Sequence, residues 1–256
     1  MPGLRREEVA QLVAISIDYY TRIEQGRLAP SEPVLAALVR TLRLDDEQSD
    51  YLRALLTRAG TPPVTRAHDQ NRRRTRAVRP QLQRLLGQLD RTPALVFGRH
   101  LDILAWNDLA AALLLDFADI AERDRNYVRL VFTDPTMRDL YPQWEQVART
   151  CVAVLRMSAA GNPTDPALSR LVGDLSMARS EFRQWWAERR VAHQDFGTKL
   201  IRHPQVGDMH LDWDSFHQAA NPDQQLVIWS AEPGSDSAHR LDTLRALIKD
   251  TPAHPA

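Results

Sequence analysis

Apolar residues recur at helical spacing four times within the first 58 positions. Residues 5–13 place Val9, Leu12 and Val13 on one side, with Ala10 turned toward a neighbour. A second helix begins behind Ser16, whose hydroxyl can accept from the free N–H groups of the first turn, and stops at Gly26, which suits a left-handed C-cap. The third starts near Glu32 and carries Val34, Leu35, Leu38 and Leu42, and the fourth follows Asp45-Asp46 with Tyr51, Leu52, Leu55 and Leu56. Periodicity then lapses. Gly60, Pro62, Pro63 and the run Arg72-Arg73-Arg74 read as linker. Pro80 opens a helix with Leu82, Leu85, Leu86 and Leu89. Beyond Pro93 the runs shorten: residues 94–97 and 101–106 flank Gly98-Arg99-His100 as a hairpin. A helix follows Asn107 to residue 115, and 127–132 is a further apolar segment. Residues 142–160, 165–174 and 179–190 read as helices, 206–216 and 225–231 alternate like strands, and 235–248 closes the chain as a helix. The pattern predicts a mainly α protein with a small sheet: an all-α unit over 1–58, a linker over 59–79, an α+β unit over 80–250 and a tail over 251–256.

Charge sharpens that division. The formal net charge is +0, but residues 1–60 hold 8 basic and 9 acidic side chains, 61–80 hold 6 arginines and 1 acid, and 81–256 hold 19 basic and 23 acidic ones. The positive charge therefore sits in the linker. Lys199 and Lys249 are the only lysines; the arginine bias fits GC-rich coding and also suits bidentate phosphate contacts. No run approaches the roughly 20 apolar residues of a membrane span, and the start, Met-Pro-Gly-Leu-Arg-Arg-Glu-Glu, is charged where a signal peptide is apolar. Cys151 is the single cysteine, so no intrachain disulfide forms. These features predict a cytoplasmic protein without a membrane span.

The segment carrying chemistry is RREEVAQLVAISIDYYTRIEQGR, residues 5–27. A helix-turn-helix needs a small residue where two short helices touch, a tight turn, and apolar residues that lock the second helix down. Ala10, then Val13-Ala14-Ile15, then Tyr20 and Ile23 meet those needs. Ile17, Asp18, Thr21 and Arg22 are left facing outward near the start of the second helix, where a recognition helix meets base edges. Arg22 suits guanine O6 and N7, Asp18 suits cytosine N4, and Ile17 suits a thymine methyl. Arg6, Arg27 and the helix start at Ser16 are placed for phosphates. An ordinary helical hairpin with solvated polar faces would show the same spacing. No Gly-x-Ser-x-Gly, Gly-x-Gly-x-x-Gly, P-loop or His-Glu-x-x-His occurs, which argues against an enzyme. No cofactor and no metal is expected, since no Cys/His spacing matches a zinc pattern.

The same segment resembles the XRE-type, lambda-repressor-like helix-turn-helix, and in particular the actinobacterial MmyB-like transcription regulators. PALVFGRHLDILAWNDLAAALL, RNYVRLVFTDP, RDLYPQWEQVA, IRHPQVGDMHLDWDSF and QLVIWSAEPGSDSAHRLDTLRAL resemble successive blocks of their ligand-binding domain. The resemblance implies a PAS-like second domain that takes an apolar, fatty-acid-like ligand, and a homodimer acting on double-stranded DNA. Two departures stand out. The family places glycine in the turn where this chain has Ala14, and relatives carry a helix ahead of the motif. The second departure predicts exposed apolar surface on Leu12, Leu52 and Leu56, through a shortened unit or a misassigned start codon.

A PAS-like sheet and its covering helices should enclose an apolar pocket, and all six tryptophans lie beyond residue 80. Trp106, Trp144 and Trp213 are candidate pocket walls, with plain core packing as the competing reading. Asn107 either caps the helix after it or holds a ligand head group. Tyr141, just ahead of Trp144 at the start of a long helix, is a further candidate for the pocket lining. Arg202 and His203, read as preceding a strand, form a cationic pair suited to a carboxylate, or else an exposed loop. His210, Asp212 and His217 bring metal-ligand types together without a known spacing. The leading reading is a ligand-responsive transcription regulator. A lipid-binding sensor module with impaired DNA binding, and a small metal-dependent enzyme using His203, His210 or Asp212, are the alternatives.

Overall fold

The computed structural model describes residues 4–59, 77–160, 165–188, 190–191, 196–218 and 221–250. Most of the linker and the tail read above lie outside them.

The first unit is four helices: α1 Arg6–Val13, α2 Ile17–Glu24, α3 Glu32–Thr41 and α4 Asp46–Ala59. Val9, Ala10, Val13, Tyr20 and Leu38 are buried together, with Ile15, Ile23, Val34 and Ala37 packed around them. Ala10 is 1% exposed, so α1 and α2 meet at the one side chain small enough to let them touch. The turn is tied by Ile15 N–H donating to Ala10 O at 2.9 Å. Ala14 takes the left-handed conformation, φ 58° and ψ 44°, which a glycine adopts without a Cβ clash. Ala14→Gly is expected to raise stability by about 0.5–1 kcal/mol, the left-handed penalty less the extra entropy of the unfolded chain. Urea denaturation followed by far-UV dichroism checks this.

The second unit starts with α5, Pro80–Gln88. Strands β1 Ala94–Phe97, β2 Ile103–Trp106, β3 Phe196–His203, β4 Gly207–Gln218 and β5 Asn221–Ser230 pair antiparallel in the order β2-β1-β5-β4-β3. Between β2 and β3 run α6 Asp108–Leu113, α7 Tyr127–Thr133, α8 Pro135–Leu140, α9 Trp144–Ala160, α10 Pro166–Ala178 and α11 Ser180–Ala187, and α12 Asp236–Asp250 closes the unit. An antiparallel sheet with its edge hairpin first and a helical insertion before its last three strands is the α+β, PAS-like layout the resemblance implies.

Alternation along each strand decides what lies on each face. Leu95, Phe97, Ile201, Met209, Leu211, Val227 and Trp229 face the helices and form the main core with residues such as Phe117, Tyr141, Leu155 and Phe182. Ala94 and Val96 face the other way, against Val78 and Leu86 around α5. The β1–β2 hairpin turns through His100 and Leu101, both at φ 62°, and Asn126 holds it by donating to His100 O at 2.8 Å and Asp102 Oδ1 at 3.0 Å. Arginines stack on tryptophans of the helical layer: Arg138 on Trp144, Arg149 on Trp185 and Arg156 on Trp186, each guanidinium 4.1–4.5 Å from a ring centroid.

Several boundaries differ from the pattern reading. Residues 127–132, read only as apolar, are helical because Asn126 caps them by accepting from Arg129 N–H. Strand β3 lies where none was expected, since Gly197 and Lys199 break its apolar alternation. The segment around Arg202 and His203 is thus strand, not a loop ahead of one.

Candidate functional site

In the first unit, the second helix of the motif shows a locked inner face and a polar outer one. Ser16 caps α2 by accepting from Tyr19 N–H at 3.1 Å. Asp18 and Arg22 pair one turn apart at 3.0 Å, with side chains 72% and 58% exposed. Ile17 is exposed, and Thr21 donates to Ile17 O at 2.8 Å. Arg6 reaches from the start of α1 to Glu24 at the end of α2 at 2.6 Å, which links the two helices and neutralises part of its charge. Arg27 is exposed just beyond Gly26, whose φ of 66° ends the helix. Tyr20, facing inward, has its pKa raised, first by burial and then by the nearby Glu24 carboxylate. An i,i+4 pair this exposed contributes little to stability, so Asp18 and Arg22 remain available to a ligand on that face. Leu12 is 62% exposed on α1, while Leu52 and Leu56 are half-buried.

In the second unit, the seven sequence-derived ligand residues fall in different places. Trp106 and Asn107 line an open cleft of about 320 Å³ between α5, the end of β2 and α12, with Leu86, Leu109 and Ile248. Asn107 is fully engaged within the protein. Its Oδ1 accepts from Ala94 N–H at 3.0 Å and Ala110 N–H at 2.9 Å, and its Nδ2 donates to Leu89 O and Thr92 O, both at 2.7 Å. An amide has no capacity beyond these four bonds for a head group, so the ligand role yields to the cap. Trp144 donates to Val131 O at 2.7 Å and packs against Phe132 and Trp185, away from that cleft.

Arg202 and His203 do not form a pair. Adjacent strand residues face opposite ways, so Arg202 points out to Asp208 at 3.0 and 3.2 Å while His203 points into the core. His203 Nε2 donates to Ala112 O at 2.9 Å and Nδ1 accepts from Gln205 N–H at 3.3 Å. His210 and Asp212 face outward, with Asp212 accepting from Thr198 at 2.5 Å, so they do not converge with His203.

The structure does bring Tyr141 and Trp213 together, around a residue the sequence reading passed over. Lys199 lies on the inward phase of β3, its Nζ 4.9 Å from the Trp213 ring centroid, 5.8 Å from Tyr127 and 6.0 Å from Tyr141. The two tyrosine hydroxyls are 2.8 Å apart and buried. Burial pushes the Lys199 amine down from its ordinary value and both tyrosines up, and it raises the nearby Cys151 thiol to about 11. The one available signal was the rarity of lysine in the chain, since Lys199 and Lys249 are its only two.

A small helix-turn-helix unit with an exposed polar face, carried on the same chain as a helix-roofed antiparallel sheet, defines the class: a DNA-binding transcription regulator with a ligand-sensing domain. The family model described as the MmyB-like transcription regulator ligand binding domain matches residues 78–244, and one described as a helix-turn-helix domain matches residues 2–52. The chain belongs to the MmyB-like transcription regulators. Among curated proteins nothing matches it. Among the described residues no helix is long and apolar enough to cross a membrane.

Proposed function

We propose that the protein is a cytoplasmic, XRE-type one-component regulator. It reads operator DNA through α2 and senses an apolar, fatty-acid-like small molecule in the PAS-like domain. Ile17, Asp18, Thr21 and Arg22 meet base edges in the major groove, while Arg6, Arg27 and the helix start at Ser16 meet phosphates. Two copies act as a homodimer, with recognition helices about 34 Å apart on a two-fold operator, and ligand shifts the balance between conformations that match and mismatch that spacing. The observation that carries the reading is the outward exposure of Asp18 and Arg22 on a helix whose opposite face is locked by Ala10, Tyr20 and Ile23.

The test is binding of the full chain to fragments of its own promoter region at several salt concentrations. Arg22→Ala is expected to weaken specific binding about 10- to 100-fold, as for loss of a bidentate base contact, and to leave non-specific binding nearly unchanged. Equal affinity of the unaltered protein for promoter and scrambled DNA would overturn the reading. A second reading, a lipid-binding sensor with impaired DNA binding, draws on the exposure of Leu12 on α1. Hydrogen exchange at the unfolded rate throughout residues 6–59, beside a protected sensor core, would select it.

A further inference from the structure

Beside the main core stands a half-buried cation whose partners leave its charge unmatched. Lys199 is half-buried and flanked by the rings of Trp213, Tyr127 and Tyr141, and among the described residues no carboxylate pairs with it. Ring faces attract an ammonium, but they do not replace a counter-ion or its lost hydration. The tyrosine pair beside it is also half satisfied. One hydroxyl donates to the other across 2.8 Å, and the accepting tyrosine keeps a proton with no acceptor among the described residues. Tyr127 is 4% exposed and Tyr141 1% exposed, so water does not readily supply that acceptor.

A cation without an anion and a buried O–H without an acceptor share one remedy: an oxygen-bearing anion placed between them. We propose that Lys199 and the Tyr127–Tyr141 hydroxyl pair form the head-group seat of the sensor, taking the monocarboxylate of an apolar-chain ligand. The proposal rests on the fatty-acid-like reading above and adds to it the chemistry that holds the head. One ammonium matches one negative charge, so a carboxylate balances the site, whereas a phosphate dianion would leave an unpaired buried charge.

The surrounding chain is shaped for the seat. Gly197 pairs with Trp213 across β3 and β4, and a Cβ at Gly197 would sit 3.1 Å from the indole Nε1. Glycine there lets the indole lie over β3 and cover Lys199. The remainder of the enclosure is apolar core, including Leu211, the strand partner of Lys199, and Phe97, whose ring meets Tyr127 edge-on at 5.4 Å. An acyl chain leaving the seat would therefore meet apolar side chains.

The test is calorimetric titration of the full chain with laurate and, separately, with 1-dodecanol, each below its aggregation limit. The same titrations are run on Lys199→Met and Tyr127→Phe, with folding checked by near-UV dichroism. Laurate is expected to bind the unaltered protein at least about 30-fold more tightly than dodecanol, in line with the loss on removing one partner of a buried charged pair. Lys199→Met is expected to abolish that preference while binding dodecanol within about threefold of the unaltered protein, and Tyr127→Phe to reduce it. Laurate binding to Lys199→Met as tightly as to the unaltered protein, or equal binding of laurate and dodecanol before any substitution, overturns the seat and leaves the apolar-ligand reading standing. Binding of neither probe to the unaltered protein overturns the fatty-acid-like reading, and the seat with it.

Discussion

Asn107→Ala is expected to destabilise the sensor domain by at least about 3 kcal/mol. The side chain is 8% exposed and ties three segments together: the end of α5 through Leu89 O, the approach to β1 through Thr92 O and Ala94 N–H, and the first turn of α6 through Ala110 N–H. Alanine leaves all four backbone groups without that partner. A buried donor or acceptor left unmade costs about 1–3 kcal/mol; Ala110 N–H keeps the Asn107 backbone carbonyl at 3.1 Å, so the figure rests on Ala94 N–H and the Leu89 and Thr92 carbonyls. Loss of an N-cap alone would cost only about 1 kcal/mol. Asn107→Asp should fail as well, because its second oxygen would face the Leu89 and Thr92 carbonyls with no proton to donate. Urea unfolding followed by tryptophan fluorescence isolates this domain, since every tryptophan lies beyond residue 80. A loss below 1 kcal/mol would show that the three segments are held by packing instead.

Lys199→Met should have the opposite sign and raise the stability of the ligand-free protein by about 1 kcal/mol. Methionine nearly matches the volume of the lysine stem, keeps the contacts to Tyr127, Tyr141 and Trp213, and needs no solvation or counter-ion. Exchanging buried charge for apolar groups of similar shape is commonly neutral or stabilising, and the half-burial of Lys199 places the gain at the low end of that range. The gain depends on pH, and its sign follows from linkage. Burial lowers the folded-state pKa of Lys199 below its ordinary 10.5. Between those two values the unfolded chain binds more protons, so the unaltered protein gains stability as pH rises. Its deficit against Lys199→Met should therefore shrink on approach to pH 10.5. Cys151, Tyr127 and Tyr141, with raised pKa values, act in the reverse direction at alkaline pH, but they are present in both proteins and largely cancel in the comparison. Melting temperatures of the two proteins between pH 7 and 10 provide the measurement. A constant difference would mean that the amine stays fully hydrated in the folded state. A more stable variant that no longer prefers laurate would fit the general exchange of stability for function at binding sites.

Much of the first unit was legible in local order along the chain. Ala10, Ile15, Tyr20 and Ile23 are a few positions apart, and helical geometry alone brings them to one side. Ser16 and Gly26 mark helix ends through their own backbone chemistry, and Ala14 shows the left-handed turn that the family's glycine implies. The outward set, with Asp18 and Arg22, follows from subtraction once the inner face is known.

The sensor site could not be read in the same way. Tyr127, Tyr141, Cys151, Lys199 and Trp213 come from two strands and three segments of the helical roof, spread over nearly ninety positions, and no local period links them. The strand bearing Lys199 was itself hidden, because the lysine stands where an apolar residue would have completed the alternation. The same blind spot made Arg202 and His203 look like partners when the pleat sends them to opposite faces, and left Asn107 divided between cap and ligand until its four bonds were in view. Helix ends and helix faces are short-range properties, decided by hydrogen bonds and side-chain spacing within a turn or two, and the order of residues carries them. Which distant groups share a desolvated space, and which of them is left without a partner there, depends on strand pairing and packing across the whole domain, and that information appears once the chain has closed on itself.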